Sequence, residues 1–341
     1  MKILGVETSC DETSASVIFA KKNDKNVKIL SNVISSSLSL HSKTGGIIPE
    51  VAAREQLKYI LPVIKESLDK AKTKIEEINA IAVTIGPGLV GSLLVGIETA
   101  KTISMLYKKP IIPVNHLHGH MYANFINNDQ NTNVKFPAII LIVSGGHTDL
   151  LLMKGHGNFK WLGGTRDDAA GEAFDKIGRL LNLPYPGGPS IEKAAENGNP
   201  ESFDLPRPMI GSKDFDFSFS GLKTAVLKET KTIKQYNNKI ISDLAASTQK
   251  AIIEVLIKKT IKAATKYNAK SILLSGGVAA NQRLRDELEL FAIRHMPKAK
   301  IFFPQKFLCT DNAAMIATAA FFNQNKVEWK KITVNPELYF Y

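Results

Sequence analysis

Ile3-Leu4-Gly5-Val6-Glu7-Thr8, Ser9-Cys10-Asp11-Glu12-Thr13 and Ser14-Ala15-Ser16-Val17-Ile18-Phe19-Ala20 read as a strand, a polar turn and a second strand, and a lysine-rich loop then leads to a third strand over Val27 to Ser35. Runs of β-branched and apolar residues punctuated by short polar turns make an antiparallel meander. The pattern recurs near the middle, as Ala138 to Val143, the turn Ser144-Gly145-Gly146-His147-Thr148, Asp149 to Lys154, and a strand around Phe159 to Leu162. Two similar halves are implied. Each meander is followed by strand and helix alternation, with Ala80 to Ile85 in the first half and Ser271 to Leu274 in the second. Asp243 to Lys266, with Leu244, Ile252, Val255, Leu256 and Ile257 on or beside one face, reads as a helix covering a sheet. The whole is a layered α/β architecture, with a boundary expected near residue 130 in the polar run Asn127 to Asn131.

The chain has 341 residues, 44% hydrophobic and 22% charged, enough for two domains of ordinary size. No run of eighteen uninterrupted apolar residues occurs, and Met1 to Val6 enter a strand pattern directly, so neither a membrane nor secretion is expected. Two cysteines, Cys10 and Cys309, cannot build a disulfide framework and suit a reducing cytoplasm as free thiols. A formal net charge of +12 favours a polyanionic partner, and lysines cluster at 21, 22, 25 and 28, at 223, 228, 231 and 234, and at 258, 259, 262 and 266. The alternative is a lysine-rich surface that serves only solubility.

Three of the seven histidines lie in His116-Leu117-His118-Gly119-His120. His116 and His120 are four apart, so on a helix both imidazoles share one face and can offer two nitrogens to one metal ion. Asp311, in Cys309-Thr310-Asp311-Asn312 after the strand-like run Lys300 to Phe303, is the candidate third ligand. Two imidazoles and one carboxylate leave coordination positions open for substrate. The histidines could equally be surface or helix-capping residues with no metal. Leu117 stands where the zincin pattern needs glutamate, which disfavours metalloprotease chemistry.

Four glycine turns follow strands: Gly86 to Ser92, Ser144 to Thr148, Pro186 to Pro189, and Ser275 to Asn281. Glycine allows close backbone approach to a phosphate, and a following helix supplies free N–H groups. Neither the Walker A nor the Gly-x-Gly-x-x-Gly pattern occurs, which argues against P-loop and Rossmann sites. Two meanders with short glycine turns facing one another across a cleft fit the two-lobed actin, sugar-kinase and heat-shock ATPase architecture, a duplicated ribonuclease-H-like fold. Kinases of that group use an aspartate and magnesium, and the histidine pair is foreign to them.

Taken together the motifs resemble the bacterial-type tRNA N6-adenosine threonylcarbamoyltransferase family (TsaD), long mislabelled as a glycoprotease. The resemblance runs in order through Gly5 to Thr13, Gly46 to Arg54, Gly86 to Ser92, His116-x-x-Gly119-His120, Val143 to Thr148, Asp167 to Lys176, Pro186 to Pro189, Phe217 to Lys223, Ser275 to Asn281 and Cys309 to Asn312. It implies transfer of a threonylcarbamoyl group from threonylcarbamoyl-AMP to N6 of adenosine 37 in tRNAs reading codons that begin with adenine. It implies His116, His120 and Asp311 as ligands of one divalent metal ion, Fe2+ first and Zn2+ as the alternative. Val143, Ser144, Gly145, Gly146, His147, Asp175, Gly188 and Asn281 would bind the activated intermediate, and Glu12 would contact it or handle a proton. Asp175, beside Lys176, has a structural helix role as its alternative.

The same resemblance implies lobes over 1–130 and 131–320, with 321–341 packing back on the first. It further implies tRNA bound through its anticodon arm, a paralogous subunit (TsaB), a small ATPase (TsaE) and a cytoplasmic location with no membrane contact. Gln56 stands where members usually carry histidine, and Ala313 where many carry glycine; the reaction is expected to survive both. His118 is expected to be an exposed helix residue. A kinase of the same architecture, or a non-catalytic paralogous subunit of the same complex, are the competing readings.

Overall fold

The first meander forms in the computed structural model, which describes residues 1–37, 40, 46–126, 133–232 and 237–340. Strand β1 (Lys2–Glu7) pairs antiparallel with β2 (Glu12–Phe19), from Lys2 opposite Phe19 to Glu7 opposite Ser14, and β2 pairs antiparallel with β3 (Lys28–Ser36). On its other side β1 runs parallel to β4 (Ala80–Gly86), and β4 parallel to β5 (Ile111–Asn115), giving the order β3-β2-β1-β4-β5. Strands β1 and β4 are buried almost throughout, as parallel strands covered on both faces must be.

Alternation along β1 assigns its two faces. Leu4 and Val6 enter a core with Ile60, Val63 and Ile64 of helix α1 (Pro49–Lys70) and with Leu93 and Ile97 of α2 (Val90–Tyr107). Gly5 and Glu7 face the opposite way. A Cβ on Gly5 would lie 2.3 Å from the Ala313 carbonyl oxygen, so glycine is what lets a late helix, Ala313–Phe322, press directly on the strand. That helix is buried on nearly every side, because its alanine-rich sequence has no polar face to offer water.

The second sheet repeats the first. Strands β6 (Ala138–Val143), β7 (Thr148–Gly155), β8 (Asn158–Gly164), β9 (Ser271–Ser275) and β10 (Lys300–Phe302) take the order β8-β7-β6-β9-β10, with β6–β7 and β7–β8 antiparallel and β6–β9 and β9–β10 parallel. This is the duplicated ribonuclease-H-like topology expected from the sequence. The helices here are α3 (His116–Tyr122), which follows β5, then α4 (Ala170–Leu180), α5 (Gly187–Ala195), α6 (Ser220–Thr232), α7 (Asn238–Lys266) and α8 (Gln282–His295) of the second half, and α9 (Ala313–Phe322). Helix α7 starts five residues ahead of the reading from periodicity because Asn237 caps it, its side chain accepting from the Ile240 amide at 3.0 Å.

Two compact units result, Met1–Asn133 with Pro304–Tyr341, and Val134–Phe303. The expected second boundary at 320 therefore moves back to 303. Helix α9 belongs with β1 and β2, so everything from Pro304 onward returns to the first unit. The expected first boundary, in Asn127 to Asn131, lies outside the described residues, as does Lys234 of the second lysine cluster. Among the described residues no helix is long and apolar enough to cross a membrane.

Candidate metal centre and binding turns

Helix α3 begins where β5 ends, and Asn115 caps it by accepting from the Leu117 amide at 2.8 Å. The four-residue spacing then stacks His116 and His120 on one face, ring centroids 4.7 Å apart and nearly perpendicular. Helix α9 lies against α3 at Gly119, where a Cβ would meet Ile316 Cδ1 at 2.6 Å. Close approach of these helices carries in Asp311, in the turn before α9, whose N-cap Asn312 accepts from Met315 N at 3.1 Å and donates to the Thr310 carbonyl at 2.7 Å. Asp311 Oδ1 stands 3.2 Å from His120 Nε2 and 3.5 Å from His116 Nε2, and the ligand atoms of the three residues all lie within 4.8 Å of one another.

The donor set fits a metal ion. Both ring nitrogens of His120 are buried and lack a hydrogen-bond partner, although Asp311 is near, so the imidazole is not turned to donate to that carboxylate. A buried orphan nitrogen of this kind is costly unless something else occupies its lone pair.

Glu7, to which the sequence alone gives no role, orients His116. It is fully buried at the end of β1, on the α9 face, and accepts from Ser9 N at 2.6 Å and Thr84 Oγ1 at 2.6 Å. Its Oε2 also lies 3.2 Å from His116 Nδ1, which Ser9 Oγ approaches at the same distance. With Nδ1–H donated to Glu7, the Nε2 lone pair is directed at the shared site, the carboxylate–histidine relay of metal centres. Its signal in the sequence is one glutamate directly after the apolar run Ile3 to Val6, since a fully buried carboxylate needs partners.

Burial opposes charge on His116, but Asp311 and Glu7 outweigh it and lift its pKa to about 9. Glu12 is pushed up to about 10 by burial, by Asp311 and by Asp11, so it holds its proton at neutral pH. It is the first residue of β2 and not a turn residue, and with Asp11 and Asp311 it forms a second group of converging carboxyl oxygens. Cys10 is raised by burial and the same carboxylates, which keeps it an unreactive thiol. His118 is half-buried beside Phe340 and not exposed as expected; burial lowers its pKa to about 4. Gln56 is also a working residue: its buried amide donates to the carbonyls of Cys10 at 2.9 Å, Glu12 at 3.2 Å and Thr8 at 3.3 Å, pinning the turn that presents Asp11 and Glu12.

Of the residues that the resemblance assigns to binding the intermediate, Val143 to His147 and Asn281 follow the carboxyl ends of the parallel strands β6 and β9 in the second unit, where open α/β sheets bind ligands, while Asp175 lies in α4 and Gly188 in α5. Ser144 N donates to the His147 carbonyl at 2.8 Å, closing the turn after β6, and nothing lies within 4 Å of a Cβ built on Gly145 or Gly146. Gly276, at φ 89°, brings the loop after β9 within 2.3 Å of the Val143 carbonyl, measured to a built Cβ, which fixes the two loops together. Asp175 accepts from the Gly187 amide at 2.7 Å at the start of α5, beside Gly188; burial raises its pKa. Asn281 caps α8 through the Leu284 amide at 2.9 Å and donates to Gln249 Oε1 at 2.8 Å. Asp175 and Asn281 thus both have structural partners. Of the lysine clusters, Lys259 is buried, donating to Ser212 Oγ at 2.6 Å, and Lys262 donates to the Ser212 carbonyl at 2.7 Å, so that run is partly scaffold.

A duplicated actin-like fold carrying a His-His-Asp set that could hold a metal ion defines the class of protein. Against known sequences, a model of the tRNA N6-adenosine threonylcarbamoyltransferase family (TsaD) matches residues 28–318. The chain belongs to that family. A transferase of this description from Dehalococcoides mccartyi is 52% identical over 322 residues, covering 94% of this chain and 93% of the relative. One from Anoxybacillus flavithermus is 46% identical over 341 residues, covering 99% and 97%. Among solved structures, full-length HypF in its phosphate- and nucleotide-bound form shares the fold at TM-score 0.60 and 12% identity, over 94% of this chain and 46% of that one.

Proposed function

We propose that this chain is the catalytic subunit that transfers the threonylcarbamoyl group of threonylcarbamoyl-AMP to N6 of adenosine 37 in tRNAs reading codons that begin with adenine, and that it works in the cytoplasm. The observation that carries this is the meeting of His116, His120 and Asp311, with His120 Nε2 buried and orphaned beside Asp311, in a chain of this family. In the reaction N6 attacks the carbamoyl carbon, a C–N bond forms, the C–O bond to the AMP phosphate breaks, one N6 proton is lost, and AMP leaves with the bonding pair.

A divalent ion held by the three ligands, iron(II) first and zinc as the alternative, would supply Lewis-acid polarisation of the carbamoyl oxygen. Glu7 keeps His116 in the ligating tautomer. The Val143–His147 turn, with unobstructed backbone at Gly145 and Gly146, takes the phosphate; Asp175, Gly188 and Asn281 complete the contacts to the intermediate. Glu12, protonated at neutral pH, is assigned to substrate contact or proton handling, and no residue is assigned as general base. The basic exterior holds the tRNA anticodon arm by its phosphates. A paralogous subunit (TsaB) would cover exposed apolar side chains such as Leu57 and Leu61 of α1 and Val90 and Leu94 of α2, and a small ATPase (TsaE) would complete the assembly.

The test is nucleoside analysis of tRNA after incubation with threonylcarbamoyl-AMP and the partner subunits. Wild type should form threonylcarbamoyladenosine, and folded His116→Ala and Asp311→Ala should not. No product from wild type, with partners shown to support another family member, would overturn the assignment in favour of the non-catalytic paralogue.

A further inference from the structure

A groove of about 660 Å³ opens in the first unit where α2 ends. The helix stops at Lys108, which turns left-handed at φ 51°, and the chain passes through Lys109 and Pro110 into β5. There Ile111 and Val327 exchange backbone hydrogen bonds, Val327 N to the Ile111 carbonyl at 2.9 Å and Ile111 N to the Val327 carbonyl at 3.4 Å. That bridge lays Lys326, Trp329 and Lys330 along the same walls as Met105, Lys108 and Lys109. None of these residues belongs to the metal centre.

Its charge is one-sided. Four lysines line the groove against a single acid, Glu328. Some lysines elsewhere in this unit have a carboxylate partner, Lys2 with Glu77, Lys58 with Glu55, Lys70 with Glu66 and Lys101 with Glu98, whereas Lys65 and Lys72, like those of the groove, have none among the described residues. Among the described residues no carboxylate pairs with Lys108, Lys326 or Lys330, and Lys109 is held only by the Glu76 carbonyl, at 2.6 Å. Helix α2 directs the negative end of its dipole here, which can balance part of one lysine and not four. Half-buried Trp329, with Lys330 Nζ 5.5 Å from its ring centroid, adds an aromatic wall among the cations. Unmatched lysines beside an indole are the surface that an RNA backbone with an accessible base fits.

We propose that this groove is a docking subsite for the phosphodiester backbone of the substrate tRNA, with Trp329 offered to a base or ribose of the same segment. The proposal rests on the tRNA-modifying reading above. Phosphates neutralise Lys108, Lys109, Lys326 and Lys330 and release counterions, so binding there is steeply dependent on salt.

The experiment measures affinity of the full chain for unmodified tRNA by filter binding across a salt series, and steady-state turnover with the partner subunits. Lys108→Ala, Lys326→Ala and Lys330→Ala should each lower the slope of log affinity against log salt by about 0.7 to 0.9. The triple charge reversal to glutamate should raise KM for tRNA at least about tenfold, leaving kcat and KM for threonylcarbamoyl-AMP unchanged. In a Trp161→Phe background, tRNA should quench Trp329 fluorescence and salt should restore it. Wild-type slope and KM in the triple variant would overturn the proposal. So would a triple variant that binds tRNA normally but no longer assembles with its partner subunits, which would make this an acidic-protein surface. Failure of wild type to modify tRNA at all would instead strike the transferase reading, since filter binding needs no turnover.

Discussion

Glu7→Gln separates the orientation of His116 from its presence. The substitution keeps the volume of a fully buried side chain and removes its charge. Glu7 now accepts from Ser9 N and Thr84 Oγ1, each at 2.6 Å, and faces His116 Nδ1 at 3.2 Å. With its one acceptor oxygen kept on the Ser9 amide, a glutamine sets its NH2 at the Oε2 position, where the Thr84 hydroxyl can turn to accept but His116 Nδ1–H is left facing a donor. That mismatch costs about 1–3 kcal/mol of stability. Loss of the partner of a ligating histidine should weaken metal binding by about 10- to 100-fold, or about 1.4–2.8 kcal/mol.

A second effect runs the other way. His116 titrates at about 9 without metal, partly because of Glu7, so at neutral pH the ion must displace a proton. Glu7→Gln lowers that pKa and eases the displacement. Above about pH 9 the proton no longer competes and the lost orientation stands alone. The assay is chelator competition with zinc or cobalt(II) as probe, from neutral pH to beyond the His116 titration, on protein shown folded by circular dichroism. The gap between wild type and variant should widen as pH rises. Equal affinities above the His116 pKa would refute the relay.

Gly5→Ala forces a Cβ to within 2.3 Å of the Ala313 carbonyl, and as the obstacle is backbone, the variant should lose about 1–3 kcal/mol in urea and also bind metal less tightly, because Asp311 moves with α9. Metal-free protein should lose stability as pH rises from 6.5 toward 9: His116 is raised in the fold, so its contribution is complete below its unfolded pKa and gone above about 9, and Glu12, raised to about 10, acts in the same direction. Thermal melts of chelator-treated protein should show this decline, and bound metal should reverse it. Asp175→Asn keeps an acceptor for the Gly187 amide, so stability should change by less than about 1 kcal/mol; a rise in KM for threonylcarbamoyl-AMP marks a ligand contact, and an unchanged KM marks a purely structural carboxylate.

The meanders were legible because strand alternation is local: Ile3 to Ala20 and Ala138 to Lys154 announce themselves by pattern and punctuation. So was the histidine face of α3, since four residues of helix fix it. What lies across the fold was not. Helix α9 is apolar all round and carries no period to say which sheet it serves, so the boundary at 320 fell after it and not before. Gly119 reads as an ordinary motif glycine until Ile316 is set against it. Gln56 reads as a neutral departure until three carbonyls meet its amide. Lys259 follows the spacing of a solvated face, yet it is buried because the segment at Ser212 folds over it. Lysines 108 and 326 are too distant in sequence to read as one patch.

The second unit interrupts the first, and this sets an order of events during synthesis. Proteins emerge from the ribosome N-terminus first, and domains fold as they complete. His116 and His120 appear early, but Asp311 and the helix that closes over Gly5 and Gly119 are made only after all of Val134–Phe303. Until then the nascent sheet has one bare face, and the histidine pair has no carboxylate. Completion of the His-His-Asp set thus becomes a late event: a chain cut short before Pro304 retains both histidines and lacks the carboxylate.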